Sequence, residues 1–259
     1  MKTTMRVAAV ADLHCSRTSE GTFRPLFAAA REAADVLLLC GDLTDFGLPE
    51  EAQLLVRELD ALDGLPVLTV LGNHDFESGK EGEIHHILAD AGVIVLDGDS
   101  CEVGGVGFAG IKGFAGGFGR GALGSWGEPA IKMFVQEAVN EAIKLESALA
   151  RLRTDRRVVV MHYSPIAATV EGEPREIFPY LGCSRLEEPL SRYPVDVVFH
   201  GHAHRGQPEG RTLAGVPVFN VSLPLMRRGA VGDRLFRLFE IPTTASGTAE
   251  PRVAQEVAT

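Results

Sequence analysis

The feature that most constrains this chain is an alternation of short apolar runs with longer helix-like stretches. The runs are rich in Val, Leu and Ile, which is typical of strands that are buried on both faces. Strands that are separated by helices pair mainly in parallel, so the alternation favours an α/β fold. The predicted strands cover residues 6–11, 36–40, 66–71, 93–96, 106–109, 157–161, 195–199, 216–221 and 235–241.

Helices are predicted where apolar residues recur at helical spacing, over residues 23–34, 49–62, 83–91 and 128–152. Strands cluster after Gly92 and again after Val195, which favours a second sheet. We therefore predict an α/β fold in which two mixed β-sheets pack face to face, flanked by helices in αββα layers. Residues 1–241 are predicted to form this single domain, and the polar residues 242–259 a mobile C-terminal tail.

Composition and charge exclude several classes of protein. Hydrophobic residues make up 45% of the 259 residues and charged residues 23%, which excludes a disordered chain. The net charge of −10 disfavours a protein that binds long nucleic acid by its phosphates. The apolar run at residues 7–11 is too short for a signal peptide or a membrane span. Four cysteines without a Cys-x-x-Cys pair indicate reduced thiols, so we expect a cytoplasmic protein with no membrane partner.

Polar side chains with metal-binding chemistry follow five of the predicted strands. The carboxyl ends of parallel strands meet at one edge of a sheet, where α/β folds build their sites. A single Asp or His after a strand is usually turn chemistry, but six of the eight histidines lie in or beside these five turns. The motifs are Asp12-Leu13-His14, Gly41-Asp42-Leu43-Thr44-Asp45, Gly72-Asn73-His74-Asp75, His162, and Gly201-His202-Ala203-His204.

Together and in this order, the five motifs resemble the calcineurin-like metallophosphoesterase superfamily, and in particular its small bacterial phosphodiesterases. They extend over about three-quarters of the chain, and Gly-Asn-His-Asp is the most specific of them. The resemblance implies two divalent or mixed-valence transition metal ions. The residues that it assigns as ligands are Asp12, His14 and His204 for the first ion, Asn73, His162 and His202 for the second, and Asp42 as the bridge between them. Such oxygen and imidazole donors suit Mn, Fe, Zn, Co or Ni better than Ca.

The resemblance also assigns catalytic roles. His74 is implied to face the phosphate, where it stabilises developing charge or protonates the leaving oxygen, and Asp75 is implied to orient the His74 ring. A hydroxide shared by the two metal ions is implied to attack phosphorus in line. Asp45 and His200 are expected to have supporting roles, and Cys15 is expected to be buried or to lie behind the ligands.

The expected function is hydrolysis of a small phosphodiester or nucleotide. A phosphomonoesterase on the same site is the alternative, and a non-catalytic scaffold with this fold is the alternative of another class. A DNA nuclease is disfavoured because the sequence shows no basic groove. The native metals, the physiological substrate and the oligomeric state stay open, a homodimer included.

A glycine-dense segment, residues 104–127, departs from the average composition. Long loops in compact domains are often functional, so this one is a candidate substrate-facing loop, with a plain flexible loop as the alternative. Five cations are candidate contacts for a phosphate or a leaving group: Lys112, Arg120, Arg175, Arg185 and Arg205.

Overall fold

A computed structural model describes residues 4–229, 234–243 and 252–253. The strands of this part are β1 (Thr4–Val10), β2 (Val36–Cys40), β3 (Val67–Val70), β4 (Ile94–Val95), β5 (Asp99–Val103), β6 (Val106–Gly110), β7 (Arg156–Val160), β8 (Val197–His200), β9 (Glu209–Arg211), β10 (Pro217–Asn220), β11 (Arg237–Pro242) and β12 (Arg252–Val253). The α-helices are α1 (Arg24–Ala33), α2 (Pro49–Leu59), α3 (Glu81–Asp90), α4 (Pro129–Arg151), α5 (Phe178–Leu181), α6 (Glu187–Arg192) and α7 (Leu223–Met226).

The strands form two mixed sheets. The first has the order β11-β1-β2-β3-β4, in which β1 to β4 are parallel and β11 pairs antiparallel with β1. The second has the order β12-β5-β6-β7-β8-β10-β9, with β6, β7, β8 and β10 parallel. Its outer strands β5, β9 and β12 pair antiparallel. The parallel centre of each sheet follows from the helical crossovers that separate its strands.

Side chains of the central strands alternate between two buried layers. Val36 and Leu38 of β2 pack in the core between the sheets, whereas Leu37 and Leu39 pack under the helices α1, α2 and α3. In the second sheet, Val159 of β7 faces the helix α4. Because both faces of a central strand are covered, its sequence is apolar throughout and lacks an apolar–polar alternation. These layers confirm the predicted αββα fold.

The boundaries differ from the prediction mainly at short elements. The strands β5, β9 and β12 and the helices α5, α6 and α7 were not predicted, since segments of two to six residues carry little periodicity. The glycine-dense segment begins in the turn between β5 and β6 and includes β6, and the residues after β6 form a loop next to the second sheet. Most of the predicted tail, residues 244–251 and 254–259, lies outside the described residues, so its mobility stays a prediction.

Two expectations from composition can be compared with the structure. None of the described helices combines the length and the apolar character that a membrane crossing requires. All four cysteines are buried and free, as expected for small core residues. Burial raises the pKa of the Cys15 thiol to about 12, so this cysteine is an inert core residue.

Candidate metal centre

The polar motifs meet at one edge of the two sheets. Asp12, Asp42 and Asn73 follow the carboxyl ends of β1, β2 and β3 in the first sheet. His162 and His202 follow β7 and β8 in the second sheet. The parallel register of neighbouring strands brings these ends side by side, so residues far apart in sequence converge.

The backbone at this edge is held in an uncommon conformation. Four residues have positive φ angles: Asp12 (58°), His14 (46°), Asp42 (49°) and His202 (69°). Apart from Asp63, no other non-glycine residue of the described chain has one. Left-handed backbone at residues other than glycine costs free energy and concentrates at functional sites. The local strain therefore marks the same residues as the motifs.

Two glycines, Gly72 and Gly201, leave room for the side chains of the proposed ligands Asp42 and Asp12. A Cβ on Gly72 would lie 2.2 Å from Oδ1 of Asp42, and a Cβ on Gly201 would lie 2.5 Å from Oδ2 of Asp12. Neither distance is compatible with a side chain. Glycine at these two positions therefore lets the backbone at the end of one strand approach a carboxylate at the end of another.

One group of possible ligands consists of Asp12, His14 and His204. Their ligand atoms lie within 4.8 Å of one another. The Nε2 atom of His204 is 3.1 Å from Oδ1 of Asp12. Burial raises the pKa of Asp12, but the hydrogen bond from His204 and the charges of His162 and His204 together outweigh it, so the pKa lies below its usual value. The ionised carboxylate is the form that binds a metal ion.

The second group consists of Asp42, His162 and His202, again with ligand atoms within 4.8 Å of one another. Asn73 joins them, since its Oδ1 is 3.0 Å from Nε2 of His162. The Nε2 atom of His202 lies 3.0 Å from the carbonyl oxygen of Tyr180, a contact that leaves Nδ1 of His202 for a metal ion. The Tyr180 contact was not predicted, because a backbone carbonyl carries no sequence signal.

Asp42 faces both groups. Its Oδ1 is 3.3 Å from Nε2 of His162, and its Oδ2 is 3.9 Å from Nε2 of His14. Burial alone raises the pKa of Asp42, but the facing His162 holds it well below its usual range. Burial alone lowers the pKa of His162, but the Asp42 carboxylate raises it to about 9. A buried anion between two sets of imidazoles suits a bridging carboxylate.

The donor set fits metal ions on two further observations. Both ring nitrogens of His14 are buried and have no hydrogen-bond partner among the described residues. Such an unpartnered pair is costly unless a ligand satisfies it. Nδ1 of His162 is 2.9 Å from the carbonyl oxygen of Cys40, which fixes the ring and leaves Nε2 for a metal ion.

His74 stands beside these groups, and the structure gives it a different support from the predicted one. Its Nδ1 lies 2.7 Å from the carbonyl oxygen of Asp45, and its ring is 4.5 Å from that of His14. The Asp75 carboxylate instead accepts hydrogen bonds from the backbone N–H of Gly72 and from Thr44, whose N–H and hydroxyl both donate. Asp75 thus holds the turn, whereas the Asp45 carbonyl orients His74.

The pKa of Asp75 is shifted in the opposite direction from those of the proposed ligands Asp12 and Asp42. Burial, with a smaller contribution from the nearby Asp42 carboxylate, raises the pKa of Asp75 to about 6. The hydrogen bonds that it accepts oppose this shift. Asp75, which is enclosed in the turn, therefore has a raised pKa, whereas Asp12 and Asp42 have lowered ones.

The remaining candidates have structural or surface positions. His200 is fully buried, with Nε2 2.8 Å from the Thr169 hydroxyl and Nδ1 2.7 Å from the Gly201 carbonyl, as a supporting role predicts. Arg185 donates to the Leu123 carbonyl and so ties the glycine-dense loop to the turn that precedes α6. Three other arginines are exposed: Arg120, Arg175 and Arg205.

The glycine-dense loop packs against the second sheet next to the candidate centre. Ile111 and Ala115 are buried there, and the N–H of Gly113 donates to the buried carboxylate of Glu141 on α4 at 2.7 Å. Lys112 lies between them and is partly buried. The loop is thus an ordered wall of this edge over residues 111–117.

The sequence profile of the calcineurin-like phosphoesterase family matches residues 5–206 of this chain. The match includes every predicted ligand and confirms the resemblance to this family. The search of curated proteins returned no match.

Solved structures show the same fold at low sequence identity. A phosphopantetheinyl hydrolase from Mycobacterium tuberculosis has a TM-score of 0.67 at 15% identity, and the alignment covers 92% of this chain and 97% of that one. A purple acid phosphatase from yellow lupin has a TM-score of 0.52 at 15% identity, over 79% of this chain and 38% of that one. The GAP50 anchor of the Plasmodium inner membrane complex has a TM-score of 0.53 at 15% identity, over 86% and 73%.

Proposed function

Because this chain belongs to the calcineurin-like phosphoesterase family, we propose that it is a metal-dependent hydrolase of small phosphodiesters. The observation that carries the proposal is the convergence of Asp, Asn and His side chains from both sheets on one edge. The unpartnered buried nitrogens of His14 in this cluster support a metal-dependent site.

Two metal ions would be held by the two groups of residues described above. Asp12, His14 and His204 form the set for one ion, and Asn73, His162 and His202 the set for the other. Asp42 serves both sets, since its two oxygens face different histidines. When bound, such ions act as Lewis acids on a phosphoryl group and lower the pKa of water.

His74 is the residue of this chain that we assign to proton transfer. The Asp45 carbonyl accepts the Nδ1–H of His74 and thereby fixes the ring, so that Nε2 is the atom free to exchange a proton with substrate. The backbone N–H of His74 donates to Oδ1 of Asp42 at 2.9 Å, which couples its position to the proposed bridging carboxylate. An imidazole placed in this way assists departure of a poor alkoxide leaving group.

We prefer a diester over a monoester as substrate because the Asp12-Leu13-His14 motif in a chain of this length resembles the small phosphodiesterases of the family. His74 would assist departure of the alkoxide from either ester. A phosphomonoesterase on the same residues is the second candidate. A small substrate also agrees with the net charge of −10, which works against binding of long nucleic acid.

A scaffold is the candidate from another class, since one structure with this fold is described as an anchor. In this chain all seven residues that the family resemblance assigns to metal binding converge on one edge. Because function depends on the site rather than on the fold, the intact site supports an enzyme.

The test is hydrolysis of p-nitrophenyl phosphate and bis-p-nitrophenyl phosphate by protein reconstituted with Mn, Fe, Zn, Co or Ni, with metal content measured on the same sample. Preference for the diester supports the proposal. Preference for the monoester favours the second candidate. Absence of both turnover and bound metal would contradict an enzyme and favour the scaffold.

A further inference from the structure

One lysine, Lys112, is fixed beside the candidate metal centre by its own backbone. Its carbonyl oxygen accepts hydrogen bonds from the N–H groups of His162, at 3.0 Å, and Tyr163, at 3.1 Å. His162 is a proposed ligand, so the position of Lys112 is tied to that of the centre. Lys112 was one of five cations considered from the sequence, and the others are exposed or hold the loop.

The ammonium group of Lys112 lies among three aromatic rings. Nζ is 4.9 Å from the centroid of Phe114, 5.4 Å from that of Tyr163 and 5.5 Å from that of Phe76. Phe76 ends the short 3-10 turn that begins at His74. The cation is therefore enclosed between the segment that carries His74 and the segment that carries His162.

The same aromatic cluster contacts His202, one of the proposed ligands. The ring of Tyr163 is 4.5 Å from that of His202. Phe76 is 38% exposed, so one side of the cluster faces solvent. A molecule bound at the centre would have to reach the ammonium group along this side.

The Lys112 charge has no carboxylate partner within 4.0 Å among the residues that the structure describes. Lys144 forms ion pairs with the nearby carboxylates: its Nζ lies 2.8 Å from Asp97 and 2.8 Å from Glu141. The other oxygen of Glu141 accepts the N–H of Gly113. Glu141 and, more weakly, Glu137 on α4 act on Lys112 through longer-range attraction.

The donors of the ammonium group are also incompletely used. It donates to the Gly113 carbonyl at 3.0 Å, and the rings offer π faces rather than lone pairs. Aromatic rings stabilise a cation without neutralising it. An anion would supply both a counter-charge and acceptors for the remaining N–H groups.

We propose that Lys112 is a specificity-determining residue that binds a second anionic group, a carboxylate or a phosphate, on the organic part of the substrate. This inference rests on the proposed function and names its substrate class. In the hydrolysis, the oxygen of water forms the new P–O bond, one ester P–O bond breaks, and the released alcohol takes a proton. Lys112 holds the second anion and exchanges no proton.

The test measures binding of phosphonates, which the centre cannot hydrolyse, to the metal-loaded protein by titration calorimetry. Phenylphosphonate lacks a second anion, whereas 3- and 4-carboxyphenylphosphonate add a carboxylate at two different reaches. We expect at least one carboxylated ligand to bind about tenfold more tightly than phenylphosphonate, and the preference to shrink with added salt.

Variants test whether Lys112 causes the tighter binding of the carboxylated phosphonates. Lys112→Met is expected to abolish the preference, Lys112→Arg to keep part of it, and Lys132→Met, which removes an exposed charge on α4, to keep it in full. Equal binding of all three phosphonates by the wild type, or an unchanged preference in Lys112→Met, would overturn the inference and leave the proposed function standing. If no phosphonate binds to metal-loaded protein, the inference fails, and the proposed function fails with it only if the same preparation does not hydrolyse bis-p-nitrophenyl phosphate.

Discussion

Left-handed backbone at Asp12, His14, Asp42 and His202 is the residue-scale sign of this site. None of these residue types adopts that conformation without cost, and Asp tolerates it better than most. The surrounding hydrogen bonds compensate: both carboxylate oxygens of Asp12 accept the backbone N–H of His202, at 3.1 and 3.0 Å. Backbone geometry thus positions the side chains of these proposed ligands.

The space at Gly72 yields a prediction with a matched control. Gly72→Ala would place a Cβ against the Asp42 side chain and its backbone nitrogen, so we expect a loss of about 3 kcal/mol in the free energy of unfolding and reduced metal content. Gly82→Ala on α3 has no atom within 4 Å of the added Cβ and should gain about 0.5–1 kcal/mol. Urea unfolding and metal analysis of both variants check this. A Gly72→Ala protein with full metal content would contradict the geometry.

His74 can be tested independently of the ligands. Because no metal-binding role is assigned to its side chain, His74→Ala should retain the metal content of the wild type. Loss of a positioned proton donor should lower kcat by about 10²–10⁴. Kinetics and metal analysis on one preparation separate the two effects. If the variant loses its metal ions, the assignment of His74 as a non-ligand is wrong.

At this scale, the sequence predicts which side chains converge but not how they are held. The seven proposed ligands come from the resemblance of the motifs to the family. Their convergence follows because each motif ends a strand and parallel strands end at one edge. The support of His74 does not follow, since the Asp45 carbonyl is a backbone group whose position depends on the fold of the turn. Asp75 was accordingly given the wrong contact, although it lies next to His74.

At the scale of elements, the free N–H groups at the start of helix α1 are satisfied by a side chain from another helix. Its N-cap residue, Phe23, provides no side-chain hydrogen bond. The buried carboxylate of Glu58 on α2 accepts the N–H groups of Gly21, Phe23 and Arg24 instead. One side chain thus satisfies donors at the start of another helix and locks the two helices together.

The pKa of Glu58 makes this contact measurable. Burial alone raises the pKa, but the three N–H donors outweigh burial and lower it below the ordinary value. A lowered folded-state pKa means that the stabilisation is present above the unfolded pKa of about 4.3 and is lost as the pH falls through the folded value. Glu58→Gln should therefore cost about 1–3 kcal/mol at pH 7.

The pH dependence supplies the check on Glu58. The difference in unfolding free energy between wild type and Glu58→Gln should shrink below about pH 4.3, because the wild-type carboxylate then becomes protonated. Glu20→Gln, at an exposed position, serves as the control and should change stability by less than about 0.5 kcal/mol. A difference that stays constant from pH 7 to pH 3 would rule out the ionised contact.

Elements were predictable in proportion to their length. The helices α1 to α4 and the central strands carry enough periodic or apolar residues to be recognised. The two-residue strand β12 and the four-residue helices α5 and α7 depend on tertiary contacts that local sequence does not encode. No element was therefore predicted in the connection between β7 and β8, which contains α5 and α6.

At the scale of the whole molecule, the candidate centre joins the two sheets. Each proposed ligand set draws on both, with Asp12, Asp42 and Asn73 from one and His162 and His202 from the other. Metal binding would therefore tie the sheets together at this edge. A ligand that binds only the folded state stabilises it by mass action.

Metal removal is accordingly expected to lower thermal stability. Saturation at about 100 times Kd corresponds to about 2.7 kcal/mol, or a Tm increase of about 5–10 °C for a domain of this size. Scanning calorimetry with and without a chelator measures the shift. Asp42→Ala, which lacks the proposed bridging carboxylate, should show little or none. An equal shift in wild type and variant would place the metal ions elsewhere.

The strained backbone of the ligand residues has a consequence for how this protein can change under selection. Replacement of left-handed His14 or His202 by glycine relieves backbone strain, so screening metal-free protein for heat tolerance should enrich glycine at these two positions. The same replacements remove a proposed ligand. Directed evolution of this chain toward thermostability would therefore drift to an inactive fold unless each round also demands turnover.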